Sequence, residues 1–97
     1  MLKLNYMKNT WYAYFVRCND NSLYAGITTD VARRVEEHNS SKLGAKYTRN
    51  KRPVELAYAT SVENRSQACK LEYALKKLSK AEKEQLVAQY LAGQTEK

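Results

Sequence analysis

Trp11-Tyr12-Ala13-Tyr14-Phe15-Val16-Arg17-Cys18, then Asn19-Asp20-Asn21-Ser22, then Leu23-Tyr24-Ala25-Gly26-Ile27-Thr28 run without a break. The two flanks are rich in aromatic and β-favouring residues and the centre is polar, which is the pattern of a hairpin. The turn decides which side chains meet. A three-residue loop of Asn19, Asp20 and Asn21, with Asn21 in the left-handed conformation that asparagine tolerates, opposes Cys18 to Ser22 and Tyr14 to Gly26. Tyr14 and Tyr24 then share a face as diagonal neighbours, about 7–8 Å apart, and Gly26 leaves an opening beside them. A two- or four-residue loop would put the tyrosines on opposite faces.

Working outward, Thr28-Thr29-Asp30 offers capping oxygens for a helix from Val31 to about Asn39, with Val31, Val35 and His38 at helical spacing. Arg34 and His38, four apart, lie one turn from each other on it. Ser40 to Arg52 is expected to be a loop ended by Pro53. A third strand follows over Val54–Thr60, its alternation directing Val54, Leu56 and Tyr58 to one face. Asn64 with Gln67 resembles a capping pair for a helix striped by Ala68, Leu71, Leu75 and Leu78. Ser79-Lys80-Ala81-Glu82 is a capping box opening a last helix, with Leu86, Val87, Tyr90 and Leu91 inward and its end near Gly93. The order β-β-α-β-α-α predicts an α+β domain over residues 11–92, a three-stranded mostly antiparallel sheet flanked by helices. A flexible tail is expected at 1–10 and another at 93–97.

The bulk numbers narrow the function. Ninety-seven residues make one domain with one modest core. Seventeen Lys and Arg against ten Asp and Glu give +7, which suits a polyanionic partner such as nucleic acid, although a merely solvated basic surface has the same composition. Cys18 and Cys69 lack metal-ligand spacing beside a single histidine and read as free thiols of a reducing compartment. The start is too polar for a signal peptide and no run is long enough to span a bilayer, so a cytoplasmic location without membrane contact is expected.

Glu72 is the most informative carboxylate. On a helical wheel it flanks the Ala68 and Leu75 stripe, so it either pairs with a cation or holds a metal. The segment from Lys42 to Arg52 holds five cations and no acid. It is either a solvated loop or a phosphate-contact surface formed by Lys42, Lys46, Arg49, Lys51 and Arg52, with Tyr47 available to stack on an unpaired base.

Taken together, Tyr12-Ala13-Tyr14, the tight turn, Tyr24-Ala25-Gly26, an arginine ten residues after Tyr24, a histidine four beyond it and a glutamate on a later helix resemble the GIY-YIG nuclease superfamily, in particular its small single-domain bacterial YhbQ-like branch. The resemblance runs from about Trp11 to Leu86. It includes the stretches Leu23 to Val31 and Gly44-Ala45-Lys46-Tyr47-Thr48-Arg49, and the pair Arg65-Ser66.

What it implies is phosphodiester cleavage, most naturally of DNA, with one divalent ion, Mg²⁺ or Mn²⁺. Tyr14, Tyr24, Arg34, His38 and Glu72 would be the catalytic residues, and Glu72 the metal ligand. Tyr14 would be the general base with Tyr24 as orienting hydroxyl and His38 as hydrogen-bond partner, or the two tyrosines the other way round. Tyr12 and Ala13 stand where the family has Gly and Ile. Ile27 stands where some relatives have lysine, and no asparagine follows the glutamate helix near Leu78-Ser79-Lys80, so a partner protein supplying specificity is one expectation. The enzyme reading competes with a non-catalytic nucleic-acid-binding module and with a protein-interaction domain. Singly, each tyrosine and the histidine would also serve as core.

Overall fold

The computed structural model describes residues 10–40 and 42–95. Its elements are β1 (Trp11–Arg17), β2 (Leu23–Thr28), α1 (Val31–Ser40), the single turn α2 (Lys46–Arg49), β3 (Glu55–Val62), α3 (Arg65–Lys77) and α4 (Lys80–Thr95). The sheet order is β2-β1-β3 and both pairings are antiparallel.

The hairpin closes on three residues. Asn21 has φ 74° and the Cys18 N–H donates to the Ser22 carbonyl at 2.8 Å, which sets Tyr14 opposite Gly26. Asp20 Oδ1 accepts from the Ser22 N–H at 3.0 Å and from its hydroxyl, an Asx turn that fixes the loop.

As the central strand, β1 is covered on both faces. Ala13 and Phe15 join Leu23, Ala25, Ala57, Leu75 and Val87 under α3 and α4, while Tyr14, Val16 and Cys18 pack with Val54, Leu56 and Val35 under α1. Removing Phe15, which is fully buried, would cost about 3–5 kcal/mol by the usual scale for a lost core aromatic. Arg17 ties the end of β1 to α4 through two 2.7 Å bonds to Glu84.

The alternation expected along the third strand is interrupted. Phe15 pairs with Tyr58 but Val16 pairs with Leu56, a bulge that inserts Ala57. Val54 and Leu56 therefore face the α1 side whereas Ala57 and Tyr58 both face α3 and α4. This corrects the single face predicted for Val54, Leu56 and Tyr58.

The helix starts follow the capping residues. Asp30 Oδ1 accepts from the Arg33 N–H at 3.0 Å, and Asn64 Oδ1 accepts from Gln67 N–H at 2.9 Å. Gln67 reaches back to the N–H of Glu63, one residue before the cap. Ser79 and Glu82 satisfy each other's N–H groups reciprocally at 2.9 and 3.1 Å. At the far end, α4 continues through Gly93 to Thr95, and Leu91 is exposed, not inward. The helix meets the sheet through Leu86, Val87 and Tyr90, the last edge-on to Tyr58 at 5.8 Å; residues 91–94 have run past it.

Of the tail expected at 1–10, only Thr10 is described. Both cysteines are free thiols, Cys18 buried and Cys69 exposed. No described helix is long and apolar enough to cross a membrane.

Candidate active site

The two tyrosines of the hairpin converge on one histidine. Tyr14 projects from β1 and Tyr24 from β2 onto the α1 side of the sheet, where His38, in the last turn of α1, is completely buried. The Tyr14 hydroxyl lies 2.9 Å from His38 Nε2, and the Tyr24 ring stands edge-on to the imidazole at 5.6 Å. Tyr14 is 1 % exposed, whereas Tyr24 is half-buried and its hydroxyl makes no hydrogen bond among the described residues.

His38 reaches this position because Val35, one turn earlier, packs into the same cluster and pulls that stripe of α1 onto the sheet. Its other nitrogen, Nδ1, lies 3.0 Å from Thr48 Oγ1, and Thr48 is also fully buried. Nothing in the sequence singled out Thr48. It sits in a polar stretch on a helix of one turn, too short to show periodicity.

Arg34 is half-buried one turn before His38. Its Nη1 donates to Glu37 Oε1 at 2.9 Å and to the Leu43 carbonyl at 2.7 Å, which together fix the guanidinium. Glu72 projects from α3, across the sheet from α1. It pairs with Lys76 at 3.3 Å, a four-residue helical pair whose lysine is largely exposed.

The charges act on one another across this small space. Burial pushes the Tyr14 hydroxyl up to about 12; Arg34 opposes that by hydrogen bonding and charge, while Tyr24 and Glu72 add to it. Burial likewise pushes His38 down to about 4, with the Arg34 and Arg52 charges adding and Glu37 opposing. The imidazole is therefore neutral at physiological pH. Glu72 is the smallest of the influences on the Tyr14 hydroxyl, and its one ion pair among the described residues is with Lys76.

No cluster of three His, Cys, Asp or Glu side chains is present among the described residues. A single half-buried carboxylate suits a hard cation that keeps most of its own water, as Mg²⁺ and Mn²⁺ do, and does not suit an ion needing an all-protein cage. Lys76 would have to yield its place beside Glu72 to such an ion.

The basic segment is more ordered than a loop. Its centre is α2, and Ser40, expected within it, still belongs to α1. Tyr47 is stacked on Tyr24 at 5.4 Å with planes 22° apart, Lys51 Nζ lies 4.5 Å over its ring, and its hydroxyl meets Ser22 Oγ at 3.3 Å. The hairpin thus engages its ring, while the residue remains 46 % exposed.

The cations divide likewise. Lys51 pairs with Asp20 at 2.7 Å, and Arg52 Nε donates to the His38 carbonyl. Lys42, Lys46 and Arg49 are exposed. Asn19 adds bonds to the Lys51 and Arg52 carbonyls, so the hairpin turn and the end of the basic segment form one unit.

A family model described as the GIY-YIG catalytic domain matches residues 10–85. A UPF0213 protein of Desulfotalea psychrophila is 54% identical over 77 residues, covering 79% of this chain and 70% of the relative. The UPF0213 protein YhbQ of Salmonella typhimurium is 51% identical over 79 residues, covering 81% of this chain and 78% of the relative. Among solved structures, the solution structure of a protein from E. faecalis superposes with a TM-score of 0.55 at 45% identity, covering 87% of this chain and 90% of that one.

Proposed function

The chain belongs to the GIY-YIG family, among relatives named UPF0213, and from that premise we propose that it is a divalent-metal-dependent endonuclease or nickase hydrolysing phosphodiester bonds in DNA. What carries the reading is the convergence of Tyr14, Tyr24 and His38 beside Gly26, with Arg34 one turn before His38 on the same helix. A plain packing core would not need a guanidinium at that point.

Roles follow from exposure and energy. Burial pushes the Tyr14 hydroxyl up to about 12 and His38 down to about 4, so Tyr14 stays protonated beside a neutral imidazole. Tyr24, whose hydroxyl makes no hydrogen bond among the described residues, is then the group that would meet the attacking water, and once ionised to phenolate by loss of its own proton to solvent it would accept the water's proton. Tyr14 and His38 stand behind it and hold its ring edge-on. This reverses the first of the two orders that the sequence leaves open.

The Arg34 bonds to Glu37 and to the Leu43 carbonyl both leave from Nη1, so the rest of the fork is turned toward Tyr14 and the phosphate, where a planar permanent cation stabilises charge as the fifth oxygen adds. Glu72 would hold the ion, which supplies charge compensation at phosphorus and assistance to the leaving oxygen. Lys42, Lys46 and Arg49 would contact the backbone without reading sequence, so selection would rest on the shape of the DNA.

One observation favours a second reading. The Lys76 ammonium already satisfies Glu72, as a non-catalytic DNA-binding module would need. Incubating the protein with nicked, branched, single-stranded and duplex DNA, with and without Mg²⁺ or Mn²⁺, beside Glu72→Ala, decides between them. Metal-dependent products from the wild type that Glu72→Ala lacks support the nuclease; binding without products in every condition supports the module.

A further inference from the structure

His38 carries its proton on one of two nitrogens, and its neighbours decide which. Thr48 Oγ1 has one hydrogen and two close polar neighbours, the Ala45 carbonyl at 3.0 Å and His38 Nδ1 at 3.0 Å. The carbonyl can only accept, so the hydroxyl hydrogen goes there and the oxygen lone pairs are left for His38. Nδ1 must then be the N–H nitrogen. Nε2 is left bare, and the Tyr14 hydroxyl, 2.9 Å away, donates to it. The opposite arrangement would set two acceptors, Thr48 Oγ1 and the Ala45 carbonyl, 3.0 Å apart with no proton between them, although the Thr48 side chain is itself fully buried.

We propose that Thr48 is a positioning residue that fixes His38 as the Nδ1–H tautomer and thereby directs the Tyr14 hydroxyl. The chain of donors runs in one direction, from Tyr14 to His38 to Thr48 to the Ala45 carbonyl, and ends on backbone. Thr48 belongs to α2, whose Tyr47 stacks on Tyr24. A single helical turn thus touches both tyrosines, one directly and one through the imidazole. Lys46 and Arg49, on the same turn, face outward. A backbone phosphate bound by those two cations would brace the turn that orients the site, which ties binding to catalysis. That last consequence rests on the nuclease reading; the tautomer does not.

The chain has one histidine, so its imidazole nitrogens can be observed without overlap. Long-range ¹H–¹⁵N spectra of ¹⁵N-labelled protein at pH 7.5 should show Nδ1 protonated and Nε2 bare in the wild type. Thr48→Val keeps the shape but removes the acceptor, and should move the proton to Nε2; Thr48→Ser restores the hydroxyl and should restore Nδ1–H. Both variants are compared with the wild type at matched folded fraction, checked by melting temperature. A wild-type Nε2–H signal, or an unchanged Nδ1–H signal in Thr48→Val, overturns the proposal. Should Thr48→Val be unfolded, Thr48→Ser and Thr48→Ala carry the same comparison.

On a DNA that the wild type cleaves, Thr48→Val should lower kcat about tenfold or more with KM unchanged, and Thr48→Ser should recover it. A wild type that cleaves nothing defeats the nuclease reading and leaves the tautomer decided by the spectra alone.

Discussion

Gly26 lies directly under the Tyr14 ring: a Cβ at residue 26 would come within 2.7 Å of Tyr14 Cζ. The ring cannot retreat, because it is 1 % exposed and hydrogen-bonded to His38. Gly26→Ala should therefore push Tyr14 off His38 and lower stability by about 1–3 kcal/mol, the usual cost of overpacking. Urea denaturation measures this. A wild-type midpoint, with the Tyr14–His38 pairing intact by NMR, would show that the β2 backbone yields instead.

Tyr24 and Tyr14 should respond differently to losing a hydroxyl. Tyr24→Phe should lower cleavage by about 10²–10⁴, the usual scale for a missing general base, while leaving the fold intact. Tyr14→Phe removes only the proton that holds His38 and should cost about tenfold to a hundredfold through misplacement. Single-turnover cleavage of one DNA by both proteins gives the ranking. The reverse ranking would return the base to Tyr14.

Glu72 and Arg34 have opposite effects on the Tyr14 hydroxyl, and that can be read without any substrate. Glu72 is one of the charges that raise it and Arg34 opposes it, so Glu72→Gln should lower the Tyr14 pKa and Arg34→Ala should raise it. Tyrosine ¹³Cζ shifts followed through an alkaline titration give the values. Both changes should abolish Mg²⁺-dependent cleavage, and extra Mg²⁺ should not rescue Arg34→Ala. Glu72→Gln should still bind DNA. Its stability should change little because the partner Lys76 is solvent-exposed; a large fall in melting temperature with cleavage retained would make the carboxylate structural.

How much of this was legible beforehand depends on where the information sits along the chain. The hairpin register follows from a three-residue loop Asn19-Asp20-Asn21 with Asn21, which tolerates positive φ, at its left-handed position, and the shared face of Tyr14, Tyr24 and Gly26 follows from that register. Helix starts were legible because Asp30, Asn64 and Ser79 each bond their own neighbours.

The bulge at Ala57 left no mark, since alternation looks the same with or without an inserted residue until the partner strand is known. Thr48 was missed, and the stacking of Tyr47 on Tyr24 was not foreseen, for a related reason. Their partners, His38 and Tyr24, lie 10 and more residues away, and a turn of four residues has no periodicity to announce which sides are buried. Arg52 looked like any other cation of its segment until the fold gave it the His38 carbonyl.

Acid should destabilise the protein through His38. Its folded pKa, about 4, lies below the ordinary value of 6.5, so between those values the unfolded chain binds more protons than the native one. Stability is therefore fully present above about pH 6.5 and falls as pH drops towards 4, by on the order of 3 kcal/mol in total. Chemical denaturation at intervals across that window measures the slope, and His38→Asn, which cannot titrate there, should be flatter. Equal slopes in the two proteins would mean that His38 is not held neutral.

The basic segment should separate into cations that bind DNA and cations that hold the fold. Lys42, Lys46 and Arg49 are exposed, whereas Lys51 is neutralised by Asp20 and Arg52 is directed at the His38 carbonyl. Counterion release makes the logarithm of affinity linear in the logarithm of salt, and the slope shrinks by about one for every phosphate that a cation no longer neutralises. Changing Lys42, Lys46 and Arg49 together to Gln should thus reduce the slope by about three and weaken binding to all sequences alike, with melting temperature unchanged. Arg52→Gln should do the opposite. It strips a buried carbonyl of a charged donor beside His38, costing about 1–3 kcal/mol of stability, while the salt slope stays near the wild-type value. Fluorescence anisotropy at several salt concentrations, paired with thermal melts of the same proteins, measures both quantities. An Arg52→Gln protein of normal stability and reduced slope would put Arg52 on the DNA after all, and a triple variant with an unaltered slope would move the binding surface away from this segment.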